Sequence, residues 1–577
     1  MTVALVLAGE ADAGLCGQLA ALGVRRVDAA DRTGPGLLTV AAAARAAGER
    51  VLICVGEAVV PEEILARLLD AGGTAAFSGI NATAGGGALI VDTPDLDTLA
   101  RAAESLAATD TAPAAVGTLL GELTRRGATV RVLDAGPDSD GAIAQLVVDP
   151  AARDVARWAA ARNLKPAALY GISLGLGLIA AVWFSELAVR AKLLAIAALM
   201  ASFLVGRAGS LLAATSRQGR VKPAVDWLGA ASGLLIEYGI YAALAVSCLA
   251  RPRPAGVPVG LEGSFGNALR HTFIATWGGA GQTGVWRLAI AAMAVLAVRR
   301  MAELSFEYTA RASGSLFRRP VLRAFEQAAI LPAGERFVLI ALTAVLFGPR
   351  VTFFALLCWG VVAVGWILAG QIARSAALDE PLADPYDGLA AYRGDGVISC
   401  WVGGLVQGRL PPLPPVLVGL FVTCVLAALG LGNLPGILVL TPVEAMLLAS
   451  LGSRHPHDGR ADWLVPALLL AGECVFLAAL GFSRRVPAPV VFALLAAVIV
   501  RHVDLLYRAR SGRGIPADRF GLGWDGRLLL LGLAAVFGIA PIAYAVVSGY
   551  LWLLFCWDFL SGWLLPTVGD LQLRENT

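Results

Sequence analysis

Charge is what this sequence has least of. Asp, Glu, Lys and Arg make up 15% of the chain, hydrophobic residues make up 57%, and the mean hydropathy is +0.72. That balance argues against a soluble globule and for a polytopic membrane protein. Lysine is almost missing: Lys165, Lys192 and Lys222 are the three among 46 basic residues. With the wealth of Ala and Gly, this is the bias of a GC-rich genome such as an actinobacterium's, and it bears on source rather than mechanism. The net charge of +3 is too small to argue for nucleic acid, so no nucleic-acid partner follows. The eight cysteines are scattered without a C-x-x-C pair, which leaves no sign of a disulfide framework or a zinc site. They read as small buried hydrophobes.

Residues 1–150 lack a long apolar run. Short β-branched stretches (VALVLAG, RRVDAA, RVLICVG, AAFSG, GALIVDT, TVRVLDAG) alternate there with helical patterns such as EEILARLLDAG and DTLARAAESLA. The alternation predicts a soluble α/β domain with a mostly parallel sheet. The opening MTVALVLAGEADAG has no basic n-region, so neither signal peptide nor anchor is expected, and the domain is placed in the cytoplasm.

From residue 151 onward apolar runs dominate. A helix crosses the hydrocarbon in roughly 20 apolar residues, which sets spans near 167–185, 191–214, 226–249, 283–298, 337–349, 351–370, 415–432, 434–452, 463–482 and 486–505. Residues 528–560 are too long for one span, and Pro541 is expected to divide them. The chain reads as three parts: 1–150, a six-helix membrane domain at 151–375, and a second membrane domain at 376–577. The membrane region is expected to be all-α with about 10–12 transmembrane helices. Arg217, Arg220 and Lys222 in one connection, and seven arginines between 299 and 336, set both connections on the cytoplasmic side of a bacterial plasma membrane.

The amphipathic lead-in AARDVARWAAARNLKP and the following LYGISLGLGLIAA resemble the start of the CDP-alcohol phosphotransferase membrane core. The resemblance covers residues 151–375. The later stretches ERFVLIALTAVLFGPRVTF, RHVDLLYRARSGRG and GLGWDGRLLL resemble actinobacterial members that add an uncharacterised membrane domain. The family's signature is D-x-x-D-G-x-x-A-R, then eight or nine residues, then G-x-x-x-D-x-x-x-D. The resemblance implies that four carboxylates from two helices hold divalent cations against a CDP pyrophosphate, the last serving as base toward the acceptor hydroxyl.

Those aspartates are missing. Counting forward from Pro166 sets the first half on Gly206, Gly209, Ser210, Ala213 and Ala214, and counting back from Glu237-Tyr238 sets the later two aspartates on Gly229 and Gly233. Asp226 and Glu237 are the only carboxylates in residues 191–250, and along one helix they stand about 16 Å apart, too far to share a cation. Arg207 adds a fixed positive charge among the degenerate positions. The resemblance then implies a scaffold whose catalytic carboxylates are gone: no catalytic residue, no metal and no cofactor, with Mg or Mn needed only if the enzyme is active through other residues. Gly229-x-x-x-Gly233 and Gly171-x-x-x-Gly175 equally fit the small-residue spacing by which membrane helices approach closely. Arg207, Arg217, Arg220 and Lys222 are expected to bind an anion or lipid headgroups, which a snorkelling arginine can do without a specific ligand.

Bifunctional relatives carry a nucleotidyltransferase in the place of residues 1–150, and VALVLAG resembles its opening strand. The next loop, Glu10-Ala11-Asp12-Ala13-Gly14-Leu15, holds two acids and no base, unsuited to cradling phosphates, so the domain reads as degenerate. Asp92 and Asp95 fit either a piece of that fold or a helix cap. Further on, Arg501, His502, Asp504 and Asp525, with Trp524 and Arg527, are candidates for a polar pocket or for helix-end ion pairs. His455 and His457 with Asp458 form a weak metal motif. Glu444 and Glu473 lie in apolar runs, where an ionisable group needs a partner or lines a pathway.

Three readings follow. The first is a non-catalytic relative of CDP-alcohol phosphotransferases, acting as scaffold or regulatory partner in phospholipid or envelope glycolipid synthesis, with the lipid bilayer and either a second copy or an active paralogue as partners. The second is an active CDP-alcohol phosphotransferase with altered site residues. The third is a lipid or small-molecule transporter.

Overall fold

A computed structural model describes residues 2–7, 24, 26–30, 34–55, 68–69, 74–78, 87–101, 123, 126, 131–133, 141, 144–186, 188–215, 222–248, 282–312, 332–376, 392–406, 409–430, 436–457, 459–510 and 521–559. They fall into two compact units. The first comprises Met1–Asp140, Gln145–Ile172 and Leu204–Gly229, and the second Gly141–Ala144, Ser173–Phe203 and Ala230–Thr577.

The first unit contains strands β1 (Thr2–Leu7), β2 (Arg26–Ala30), β3 (Arg50–Val55), β4 (Ala75–Ser78), β5 (Gly87–Val91) and β6 (Arg131–Leu133), with helix α1 (Gly34–Ala47) between β2 and β3. The expectation of a mostly parallel sheet is corrected here. The two strands with described side chains, β3 and β5, run antiparallel, with Val51, Leu52, Ile53, Leu89, Ile90 and Val91 buried. The pair β4–β5 is antiparallel as well, and the order β2-β1-β3-β5-β4-β6 makes a mixed sheet. The reason is length. β4 ends at Ser78 and β5 begins at Gly87, too short a link for the crossover that a parallel pair needs. Among the described residues helix predominates by far.

The same unit holds α2 (Asp149–Ala161), the first turns of α3 (Pro166–Phe184), the last turns of α4 (Val189–Thr215) and the start of α5 (Lys222–Ser247). Ala152, Ala156 and Ala159 lie on one face of α2 and are fully buried against Leu169 of α3 and Ala208, Leu211 and Leu212 of α4. Alanine at this i, i+4, i+7 spacing lets the helices approach closely.

In the second unit the order continues with α6 (Gln282–Ala312), α7 (Ala333–Leu346), α8 (Pro349–Ala376), α9 (Val397–Val406), α10 (Leu413–Leu429), α11 (Thr441–Leu447), α12 (Val465–Ser483), α13 (Ala488–Arg510), α14 (Gly523–Val536) and α15 (Ala540–Phe559). Helix α6 packs on α8, α12 and α13, α10 on α12, and α13 on α15. Trp463, Phe476, Trp524 and Tyr544 are among the large side chains buried here. A lipid-embedded backbone must satisfy its hydrogen bonds internally, which is why such apolar runs are helical.

Seven stretches among the described residues are long and apolar enough to cross a membrane: Pro166–Phe184, Val189–Ala213, Val225–Ser247, Pro349–Ala376, Asp462–Ser483, Ala488–Tyr507 and Ala540–Asp558. The protein is a multi-pass membrane protein, and among the described residues seven stretches, not the expected 10–12, have that length and composition. Helices α7, α9, α10 and α14 are shorter, as is the apolar helix Ile437–Gly452, in which α11 is flanked by 3-10 ends (Gly436–Leu440 and Leu448–Gly452). The break after residue 536 falls at Gly538, in the left-handed region at φ +76°. There the Ile539 N–H closes the end of α14 on the Ala534 carbonyl at 2.9 Å. Pro541 sits harmlessly in the first turn of α15.

Candidate functional site

Two of the four glycines at positions where the family resemblance expects aspartate face an aromatic ring. A Cβ added to Gly209 of α4 would lie 3.1 Å from Tyr170 Cε1, and one added to Gly229 of α5 would lie 2.8 Å from Tyr170 Cζ and 2.9 Å from its hydroxyl oxygen. Tyr170, itself buried, thus fills the space between these two glycines of α4 and α5. Gly229→Ala is expected to lower stability by about 1–3 kcal/mol through overpacking. Gly233→Ala meets nothing within 4 Å and is expected to be neutral or up to about 1 kcal/mol stabilising, since alanine favours helix. Thermal unfolding of the detergent-solubilised variants separates the two, and equal shifts would refute the packing account.

Arg207 lies beside these glycines, yet it does not face solvent. It is 6% exposed and forks onto Asp149 at the start of α2, Nε to Oδ1 at 2.7 Å and Nη2 to Oδ2 at 3.2 Å. A buried carboxylate already neutralises this expected anion ligand. Arg217, Arg220 and the side chain of Lys222, which opens α5, lie outside the described residues. Of the two carboxylates in residues 191–250, Asp226 is exposed. Glu237 is buried and saturated: Arg336 Nε donates to Oε1 at 3.0 Å, Arg336 Nη2 to Oε2 at 2.9 Å, and Tyr241 to Oε1 at 2.7 Å. Arg336 comes from the first turn of α7.

A second charged cluster occupies the C-terminal helices. Glu473 of α12 and Arg527 of α14, both buried, form a bidentate pair at 2.6 and 3.0 Å, and Arg527 Nη1 also donates to the Gly521 carbonyl at 2.9 Å. His502 of α13 bonds through Nδ1 to the Val498 carbonyl at 2.9 Å, leaving Nε2 3.9 Å from Glu473 Oε2. Its neighbour Arg501 turns elsewhere, to Asp504 at 3.4 Å and to Asp558 of α15. The expected polar pocket therefore divides: His502 joins Glu473 and Arg527, and Arg501 joins Asp504.

Asp525 takes a third role. It caps the start of α9, accepting the backbone N–H groups of Gly396 at 2.8 Å and Ser399 at 2.7 Å. A carboxylate there is favoured by the helix dipole. Burial pushes this carboxyl above its usual range, and the two backbone donors oppose that shift. Beside it the Trp524 indole N–H donates to Asp395 Oδ1 at 2.8 Å, the Trp524 amide to the Gly394 carbonyl at 3.2 Å, and Arg393 Nε to Asp395 Oδ2 at 2.7 Å. The loops Arg393-Gly-Asp-Gly396 and Leu522-Gly-Trp-Asp525 thus clasp one another. Gly523, at φ +61°, permits it: a Cβ there would lie 2.3 Å from the Gly396 nitrogen. Arg393 and Asp395 were not among the candidates read from the sequence, although two glycines flanking an aspartate marked a tight loop.

The remaining candidates stand apart. Asp92 caps the 3-10 turn Thr93–Asp95 by accepting the Thr93 N–H at 2.9 Å. His457 is buried, His455 bonds the Pro456 carbonyl through Nδ1, and Asp458 lies outside the described residues. Glu444 is exposed on the short helix α11. The loop 10–15 also lies outside the described residues.

Residues 383–564 match a family of unknown function (DUF5941), a stretch that contains the loop clasp and the Glu473–Arg527 pair. No curated protein matches the chain.

Proposed function

We propose that this protein is a non-catalytic relative of the CDP-alcohol phosphotransferases, serving as a membrane scaffold or regulatory partner in phospholipid or envelope glycolipid synthesis. The observation that carries the reading is the state of Glu237. Both of its oxygens are committed to Arg336 and one also to Tyr241, so of the two carboxylates available to a metal site one is spent on the fold. Transfer chemistry on a pyrophosphate requires cations to neutralise the developing charge, and one exposed aspartate cannot hold them there. The arginine-rich connections support a cytoplasmic position for the first 150 residues at a bacterial plasma membrane, where a second copy or an active paralogue would dock.

The transport reading drew on intramembrane glutamates. It loses its main support when Glu473 has Arg527 as a bidentate partner, because such a residue meets a structural need without a pathway.

The purified full-length protein is expected to bind neither CDP nor Mn in equilibrium dialysis and to release no CMP from CDP-diacylglycerol. Metal-dependent CMP release that disappears in Asp226→Asn would replace this proposal with an active enzyme.

A further inference from the structure

Helix α9, VISCWVGGLV, is ten residues long and holds no charged side chain. At ~1.5 Å per residue it reaches about 15 Å, half of a hydrocarbon core of roughly 30 Å. Ser399 and Gly403 are buried, whereas Val397, Trp401 and Leu405 are 68%, 67% and 66% exposed. At i, i+4 and i+8 these three make one ridge. Cys400 beside them is the other exposed residue of the helix. A helix that lies flat on a membrane turns a charged face to water, and α9 has none to turn.

The two ends of α9 lie at different depths. At its start Asp525 accepts the Gly396 and Ser399 N–H groups, and Arg527, two residues further on, pairs with Glu473 at the middle of the span Asp462–Ser483. His502, inside the span Ala488–Tyr507, has its Nε2 3.5 Å from the place that a Cβ on Gly394 would take. The start of α9 is therefore at hydrocarbon depth, where irregular backbone is tolerated because protein buries it. From there the helix runs beside residues 450–454 in the same direction: Ser399 Oγ is 2.9 Å from Ser450 Oγ, and a Cβ on Gly404 would lie 3.4 Å from the guanidinium carbon of the exposed Arg454. Its end stands at the polar border. The flanking spans meet that border as well. The carbonyl of Ala376, the last residue of the span Pro349–Ala376, accepts from Arg460 at 3.3 Å, just ahead of the span that opens at Asp462. A Cβ on Gly452 would lie 2.5 Å from Pro412 Cα, which sets the start of α10 at the level of Gly452 and Arg454.

We infer that the chain between α8 and α10 is re-entrant: it enters and leaves the bilayer on one side, and lipid acyl chains cover the Val397–Trp401–Leu405 ridge of α9. The chain leaves α8 at the border, is deep at Tyr392–Gly396, and is back at the same border before α10 begins. A soluble partner cannot reach the deep end of the ridge. Acyl chains can, and a face without charge or hydrogen-bonding side chains suits them.

The test uses the full-length protein, its native cysteines replaced by alanine, spin-labelled singly at Val397→Cys, Trp401→Cys or Leu405→Cys in phosphatidylglycerol–phosphatidylcholine vesicles. Power saturation with oxygen and with a nickel chelate reads the depth of each label. Position 397 should be the deepest and 405 the shallowest, separated by up to about 12 Å, the rise of eight helical residues, and oxygen access should exceed nickel access at 397 and 401. In sealed vesicles Arg374→Cys and Arg409→Cys should react with an impermeant maleimide from the same face. Trp401→benzoylphenylalanine, which leaves the native cysteines in place, should give lipid adducts on photolysis. Equal depths at the three positions would mean a helix lying flat, and nickel access above oxygen access a ridge facing water. Reaction of 374 and 409 from opposite faces would mean a crossing segment, and a photo-crosslinked dimer without lipid adducts a second copy on the ridge. Each of these results overturns the inference.

Discussion

Arg527→Met is expected to destabilise the protein by about 3–5 kcal/mol, the range found when one partner of a buried ion pair is removed. The residue is 1% exposed and Glu473 is fully buried. The loss is therefore the cost of leaving a carboxylate in a low-dielectric core with His502, 3.9 Å away, as the remaining cation source beside it among the described residues. Glu473→Gln alone should cost less, because the guanidinium keeps the Gly521 carbonyl and the amide can still accept one hydrogen bond. The double variant Glu473→Met/Arg527→Met, with no charge to strand, should recover most of the loss. Unfolding titrations in mixed micelles measure all three. A single Arg527→Met variant within about 1 kcal/mol of the parent, as for a solvent-exposed pair, would show that water reaches the cluster.

That Glu473 would have a partner was readable from chemistry, since an ionisable group in an apolar run needs one. Which partner was not, because Arg527 stands 54 residues away. Arg207 shows the same limit: its place near the end of an apolar run suggested a headgroup, while its actual partner lies 58 residues earlier, at the start of the lead-in helix. Strands β3 and β5 fall on RVLICVG and GALIVDT, yet strand direction depends on connection length and on pairing, which alternation does not encode. Hydropathy counts apolar residues and is blind to helix continuity. That is why 434–452 reads as one span although its described part is a shorter helix with 3-10 ends.

The clasp between residues 393–396 and 522–525 belongs to another class of miss. No periodicity marks it. Its signals are the isolated glycines, of which Gly394 and Gly523 have positive φ, and an aspartate in each loop. Those residues bring two backbone segments closer than side chains allow, and the aspartates then serve as caps and acceptors for the opposite loop. The carboxylates of this region are thus accounted for by structure before any chemistry is assigned to them.

Aspartate introduced at Gly206, Gly209, Gly229 and Gly233 is expected to create manganese binding only when Tyr170 is also cut back to alanine. A pair of divalent cations brings more positive charge than carboxylates elsewhere in residues 191–250 can balance, so the acids must be supplied at the helix surfaces. The structure shows two of these positions, Gly209 and Gly229, converging on one ring, at 3.1 and 2.8 Å from their added Cβ atoms. Larger side chains at both would collide with Tyr170 before they reached a common ion, so the four-aspartate variant should be destabilised and metal-free. With Tyr170→Ala the same volume opens between the two helices, and Arg207 does not oppose the cations because Asp149 already balances it. Electron paramagnetic resonance of bound Mn reads the gain directly in the solubilised protein, alongside a melt that verifies folding. If the five-fold variant melts cooperatively and still leaves Mn free, the glycine positions do not form a vestigial carboxylate site. If the parent itself binds Mn, the carboxylates that matter lie elsewhere and the non-catalytic reading fails.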